Sequence, residues 1–200
     1  MATETEIKLA VGDLQLLDCI LCSKQITELM DGGFSYTKMQ STYYDTPNGD
    51  FFKNHQTLRL RKENETSVLC FKSPQKGRSR MEWQTPCEYL DEGLPKLASL
   101  GAPAMLKDCK AEELNVLCGA EFTRISAQLQ FSDGSRCELA GDIGQLLGGG
   151  KQLPLCELEL ELTQGDAAQM LALGKTLCEK FGVKECFESK FARASALANE

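Results

Sequence analysis

The segment Cys156-Glu157-Leu158-Glu159-Leu160-Glu161-Leu162 alternates acidic and apolar residues without interruption. Successive side chains of a β-strand point to opposite sides of the sheet, so the pattern predicts a strand with a row of carboxylates on one face. Like charges on one strand repel, and this cost is tolerated only where counter-charges lie between them. The segment therefore predicts a strand whose charged face meets cations.

The same separation of charge recurs in other predicted strands. A single charged face is explained by an ordinary strand with one side in water. A solvated face, however, normally mixes neutral polar residues with charges of both signs. Several dense charged faces therefore favour a shared, enclosed site. The residues predicted to share a face, strand by strand, are Glu4, Glu6 and Lys8; Arg59 and Arg61; and Arg80 and Glu82.

Alternation with a period of two residues predicts about eight strands, at 3–11, 34–44, 57–63, 67–72, 80–88, 121–131, 135–143 and 153–162. Helical patterns occupy 13–30 and 166–181, with weaker signals at 93–100, 107–117 and 189–198. Many strands with few helices between them indicate an antiparallel sheet, and closure into a barrel would remove its exposed edges. We expect an α+β fold, mainly β, with helices packed outside the barrel.

The bulk composition limits the classes of function. With 200 residues and 42% hydrophobic content, the chain is predicted to form a single domain over residues 1–200. The net charge of −7 argues against nonspecific binding to nucleic acid or anionic membranes. We find no signal-peptide pattern and no membrane-length apolar run, and we predict a cytoplasmic protein.

The 10 cysteines and the single histidine do not predict a metal site of their own. Cys19 and Cys22 form the one close pair, but no second pair accompanies them, and His55 is distant in the sequence. A structural zinc ion would lack ligands. We expect reduced thiols used as small apolar residues, and a structural or exposed histidine.

The ligand must satisfy both the acidic and the basic faces. Carboxylates that are not accompanied by histidine or cysteine ligands select a hard cation such as Mg²⁺ or Mn²⁺. Pairs of arginines match phosphate oxygens through charge-assisted hydrogen bonds. A metal-bound polyphosphate meets both requirements.

Short motifs with a recognisable order run along essentially the whole chain. They are Glu4-Thr5-Glu6-Ile7-Lys8, Thr42-Tyr43-Tyr44-Asp45-Thr46-Pro47, Leu58-Arg59-Leu60-Arg61, Cys70-Phe71-Lys72, Phe122-Thr123-Arg124, Gly141-Asp142-Ile143-Gly144, the segment 156–162 and Ser189-Lys190-Phe191. Together they resemble the CYTH superfamily, also called triphosphate tunnel metalloenzymes. Within it the chain is most similar to bacterial inorganic triphosphatases, including those in which a CHAD domain follows. The sequence does not contain that second domain, and we expect either a stand-alone enzyme or one part of a longer protein.

The resemblance implies a closed tunnel of eight antiparallel strands with charged side chains inside. It further implies roles for individual residues, with Glu4, Glu6 and Lys8 as candidates for the catalytic step. The residues implied to bind substrate are Lys8, Arg59, Arg61, Lys72, Arg80, Arg124 and Lys190. The residues implied to hold metal, directly or through water, are Glu4, Glu6, Asp142, Glu157, Glu159 and Glu161.

The predicted reaction is hydrolysis of inorganic triphosphate to pyrophosphate and phosphate, with two Mg²⁺ or Mn²⁺ ions. The same fold also serves thiamine triphosphatases, nucleoside triphosphatases and class IV adenylyl cyclases, and the strand charges do not distinguish these from an inorganic triphosphatase. A third hypothesis is that the protein is a noncatalytic polyphosphate-binding module. The intact glutamate pairs favour an enzyme, and the oligomeric state stays open.

Overall fold

The computed structural model describes residues 5–74 and 80–199, with the backbone alone at Arg80 and Asn199. The strands are β1 (Glu6–Ala10), β2 (Ser35–Asp45), β3 (Thr57–Glu63), β4 (Thr66–Pro74), β5 (Arg80–Pro86), β6 (Asn115–Gln130), β7 (Arg136–Gly148), β8 (Lys151–Gln164) and β9 (Lys184–Glu185). The helices are α1 (Leu14–Leu21), α2 (Lys24–Thr27), α3 (Asp50–Lys53), α4 (Leu90–Ser99), α5 (Met105–Asp108), α6 (Ala168–Phe181) and α7 (Lys190–Asn199), with a 3₁₀ turn at Ala111–Glu113.

All the strands belong to one sheet, whose hydrogen-bonded order is β5-β4-β3-β2-β6-β7-β8-β1-β9. Every neighbouring pair is antiparallel, so the predicted α+β, mainly β, class is confirmed. The predicted closed barrel of eight strands is corrected: in the described part of the chain, no ladder joins β5 to β1 or β9. The outer edge of β1 instead pairs with the short strand β9, which the sequence did not predict.

Two predicted helices have different boundaries in the structure. The helix predicted at 13–30 is divided into α1 and α2, because Ser23 is extended and occupies the N-cap position of α2. The helix predicted at 107–117 gives way to β6 at Asn115, where pairing with Asp45 of β2 begins. Within the described residues, no helix is long and apolar enough to span a bilayer.

Helices cover one face of the sheet. Leu17 and Ile20 of α1 and Leu177 of α6 are fully buried in a core with Leu158 and Leu160 of β8. A second core lies farther along the same sheet, under α4, and contains Leu58, Leu69, Phe71 and Leu97. The alternating apolar residues of the strands therefore have a hydrophobic face to fill, and the intervening charged residues point to the other side.

Helix α7 lies on that other side, which we call the charged face and define by Lys8, Arg124 and Glu159. Ala194 of α7 is fully buried there in an apolar cluster with residues of β2, β6, β7 and β8. Gly148 allows the close approach, because a Cβ built on it would lie 2.2 Å from the carbonyl oxygen of Ala194. One end of the charged face is thus apolar and covered by a helix.

We expect Gly148→Ala to displace α7 and to lower the free energy of unfolding by about 1–3 kcal/mol. The added methyl group would meet the backbone of α7, and neither this helix nor strand β7 can move away without losing packing contacts. Urea unfolding measures the change. Gly33→Ala is the matched control, because a Cβ there meets nothing within 4 Å. Equal stability of the two variants would contradict this account of α7 docking.

Candidate functional site

The registers of four adjacent strands bring the charged residues into rows across the sheet. Lys8 of β1 lies opposite Glu159 of β8. Arg124 of β6 lies opposite Asp142 of β7, which in turn lies opposite Glu157 of β8. Directly paired residues point to the same side of a sheet, so all five side chains lie on the charged face.

Glu159 lies at the centre of this group. Its carboxylate accepts hydrogen bonds from Arg124 at 2.7 Å and from Lys190 at 3.0 Å, and the ammonium of Lys8 lies 3.3 Å away. Burial alone would raise the pKa of Glu159, but the charges of Lys190, Arg124 and Lys8 hold it well below its usual range. Glu159 is therefore a carboxylate at neutral pH.

Asp142 is fully buried and is held in a planar, two-point pair with Arg124. Arg124 Nε and Nη2 each donate to one oxygen of Asp142 at 2.7 Å, a geometry that lysine cannot provide. The same guanidinium also lies 5.9 Å from the centre of the Phe122 ring, and Lys190 lies 5.2 Å from it. Both cations thus lie near the Phe122 ring and converge on one group of carboxylates.

Glu157 is also fully buried, and both its oxygens face α7. Lys190 donates to Oε1 and Arg193 donates to Oε2. The sequence interpretation omitted Arg193. Its signal was present, because Arg193 follows Lys190 by three residues in a predicted helical segment, and residues so spaced lie on the same side of a helix.

A second group of cations lies on the same face of β3 and β4. Arg59 shares a hydrogen bond with Tyr43, Arg61 lies 2.5 Å from Glu63, and Lys72 lies 2.7 Å from Glu82. Their cross-strand partners show that the three cations share a face, because directly paired residues point to the same side of a sheet. Arg59 is opposite Tyr43 and Cys70, Arg61 is opposite Ser41 and Val68, and Lys72 is opposite Thr57 and Glu82.

The pKa of Arg61 is lowered by burial and by the positive charge of Arg59, while Glu63 opposes the shift and Arg124 adds to it. The electrostatic effect of Arg124 on Arg61 links the β3 cations with the carboxylate group of β7 and β8. Positive groups that repel one another in this way favour the binding of an anion between them.

Most of the predicted site residues occur on this one face. Glu6 lies opposite Glu161, and its side chain is 47% exposed. Glu4 lies outside the described residues, and Arg80 is described only as the first residue of β5. His55 is exposed and has a positive φ of 56° in the turn after α3.

Carboxylates suitable for a hard cation are present on the charged face. Asp142, Glu157 and Glu159 each offer an oxygen, and these oxygens lie within 4.8 Å of one another. Oxygen donors of this kind fit Mg²⁺ or Mn²⁺. The ammonium of Lys190, however, already contacts all three carboxylates. The donor chemistry fits a divalent ion, and Glu6 and Glu161 extend the row of carboxylates toward the start of β1.

Comparison with known proteins supports a common family. The CYTH domain model matches residues 2–195. An inorganic triphosphatase of Haemophilus influenzae is 27% identical over 141 residues, which make up 68% of this chain and 39% of that protein. The match therefore covers less than half the length of this curated relative.

Solved structures share the fold. A Hippeastrum protein, described as an adenylyl cyclase candidate with a dominant triphosphatase activity, superposes with a TM-score of 0.63 at 17% identity, over 98% of this chain and 96% of that one. A Bacillus halodurans protein described as an adenylate cyclase candidate gives a TM-score of 0.57 at 14% identity, covering 96% of each chain. At these identities the likeness concerns the fold alone.

We expect the protein to lose stability as the pH falls below 4.5, the ordinary pKa of a glutamic acid. Because the folded state lowers the pKa of Glu159, the unfolded chain binds the proton at a higher pH than the folded chain does, and the free energy of unfolding decreases as the pH decreases. Between neutral and strongly acidic pH, the free energy of unfolding of Glu159→Gln should decrease by at least about 1 kcal/mol less than that of the wild type. This amount corresponds to a difference of about one in the pKa of Glu159 between the folded and the unfolded chain. Urea unfolding at a series of pH values measures both slopes.

Glu179→Gln, which removes an exposed carboxylate of α6, is the control for that experiment. It should keep the wild-type dependence on pH. If Glu159→Gln also kept it, Glu159 would not be the partly buried, cation-paired carboxylate described above.

Proposed function

Because the chain belongs to the CYTH domain family, we propose that it hydrolyses inorganic triphosphate to pyrophosphate and phosphate with Mg²⁺ or Mn²⁺. The observation that carries the proposal is the meeting of two groups on one sheet face: the cations of β3 and β4, and the cation-paired carboxylates of β7 and β8. A metal-bound polyphosphate is the ligand class that needs both groups. The triphosphatase relative supports the same reaction.

The basic side chains bind the triphosphate in this proposal. A triphosphate carries about four or five negative charges at neutral pH, and guanidinium groups bind phosphate oxygens at two points. Arg61 is the strongest candidate, since its neighbours Arg59 and Arg124 make an anion favourable there. The full proposed set is Lys8, Arg59, Arg61, Lys72, Arg80, Arg124 and Lys190.

The metal ions are proposed to bind where carboxylates are accessible to solvent. Glu6 is half exposed and lies opposite Glu161, and Glu4 precedes it by two residues on the same strand pattern. Glu159 adjoins them through Lys8. Two bound ions would supply charge neutralisation and a water of lowered pKa.

The protein's own groups would position the substrate and move the proton. Phosphoryl transfer depends mainly on alignment and charge compensation, so no covalent intermediate with the protein is needed. Lys8 is placed between Glu6 and Glu159, at 4.0 and 3.3 Å, and can bind an oxygen of the reacting phosphate. Glu4 or Glu6 is the proposed acceptor of the proton from the attacking water.

Two other reactions use the same phosphate contacts. The Hippeastrum and Bacillus structures are described as adenylyl cyclase candidates, so a nucleoside triphosphate is the second candidate substrate. Thiamine triphosphate, which the sequence resemblance implies, is the third. A noncatalytic polyphosphate-binding module would keep the cations and need no metal. The net charge of −7 supports a small-molecule substrate over nucleic acid in each case.

Purified protein with Mg²⁺ or Mn²⁺ should release phosphate from inorganic triphosphate, and EDTA should stop the reaction. Rates on ATP and thiamine triphosphate, together with an assay for cyclic AMP, rank the alternatives. Inorganic triphosphate should have the highest kcat/KM. Tight binding of polyphosphate without turnover at any divalent metal would instead establish the noncatalytic module.

Glu4→Gln and Glu159→Gln should lower metal-dependent turnover on the order of 100-fold or more, because each removes a charge that acts on the reacting groups. Arg61→Ala should raise KM and lower kcat together, since the same phosphate charge is stabilised before and during the reaction. Lys62→Ala, on the same strand but the opposite face, is the matched control and should change neither constant. Wild-type rates in both glutamine variants would remove the metal assignment.

A further inference from the structure

Glu157 is, with Asp142, one of two fully buried carboxylates on the charged face, and it differs from Asp142 in that both its oxygens meet cations of α7. It is fully buried, and its two oxygens are divided between Lys190 and Arg193 of α7. A buried carboxylate that loses one of its partners becomes an uncompensated charge in a medium of low dielectric constant. Glu157 is therefore committed to the cations of α7.

The first turn of α7 holds the two cations in register. The Ser189 hydroxyl accepts a hydrogen bond from the backbone N–H of Ala192 at 3.1 Å, so the helix has a defined start. Phe191 packs on Tyr43 with ring centres 4.9 Å apart, and Ala194 is fully buried. Lys190 and Arg193 consequently project from one side of an anchored turn onto the same carboxylate.

Lysine needs such support more than arginine does. Its ammonium ends a flexible chain with four rotatable bonds and has no preferred approach to a carboxylate. Lys190 contacts Asp142 at 2.7 Å and Glu159 at 3.0 Å besides Glu157. Because Arg193 engages the second oxygen of Glu157, it fixes the orientation of the carboxylate that Lys190 binds.

We infer that Arg193 is a positioning residue, which holds Lys190 in place for the substrate through the buried carboxylate of Glu157. Glu157 thereby serves the two cations of α7 and is not a ligand of the metal ion. The role in substrate binding rests on the proposed triphosphatase function.

Binding of inorganic triphosphate in EDTA, measured by calorimetry, tests the role without turnover. Arg193→Met should weaken binding about tenfold, the effect of roughly one charge-assisted hydrogen bond, and Arg193→Lys should restore most of it. Lys190→Met should weaken binding at least as much. The double variant Lys190→Met/Arg193→Met should bind no more weakly than Lys190→Met alone, because Arg193 acts through Lys190. Additive losses would overturn the inference.

Binding of Mn²⁺, followed by electron paramagnetic resonance, tests the assignment of Glu157. Glu157→Gln should keep its affinity for Mn²⁺ within about twofold, whereas Glu159→Gln should lose about tenfold or more. If Glu157→Gln does not fold, Glu157→Gln/Arg193→Met, which removes one charge of each sign, takes its place. An equal loss of Mn²⁺ affinity at Glu157 and Glu159 would make Glu157 a metal ligand.

A readout independent of the substrate separates this inference from the proposed function. Amine labelling with site-resolved mass spectrometry should modify Lys190 faster in Arg193→Met than in the wild type or Arg193→Lys, with Lys151 as the exposed internal reference. If the wild-type protein does not bind triphosphate, the proposed function fails, and the labelling result alone shows whether Arg193 holds Lys190 in place. Unchanged labelling of Lys190 in Arg193→Met would overturn the positioning role.

Discussion

Buried carboxylates that must be paired with cations organise the centre of this protein. Asp142 and Glu157 are fully buried, and removing charged groups from water is favourable only if their partners are supplied in good geometry. Arg124 supplies it from the neighbouring strand and Lys190 supplies it from α7. The register of β6, β7 and β8 and the position of the last helix therefore depend on one network of ion pairs.

The same network accounts for the division of the sheet into two unlike sides. Apolar residues of each strand fill cores beneath α1, α6 and α4, which leaves the alternate residues to face one another across the charged side. Only part of that side is polar, because Phe122, Leu146 and Leu155 form an apolar cluster beneath α7. A desolvated boundary of this kind strengthens the electrostatic interactions next to it.

The geometry also changes how the acidic residues are interpreted. The carboxylates closest to one another are Asp142, Glu157 and Glu159, which spacing alone would make the metal site. Yet the ammonium of Lys190 contacts all three. The closeness of the carboxylates therefore shows that they bind a cation, but it does not identify that cation as a metal ion. The half-exposed Glu6 and its neighbour Glu161 offer ligands that an ion can reach from solvent.

The local pattern of the sequence determined which strands form and which side chains share a face, because alternation along a strand is a property of the backbone. Arg59 was placed beside Arg61, and Glu159 beside Glu157 and Glu161, on one face of their own strands in this way, whereas the ladders between strands bring the two faces to one side of the sheet. The ends of the sheet, the division of α1 from α2 and the position of α7 depend on contacts between distant segments. Arg193 acquired its role for the same reason: its partner Glu157 is 36 residues away in the chain, and only the docking of α7 on the charged face joins them.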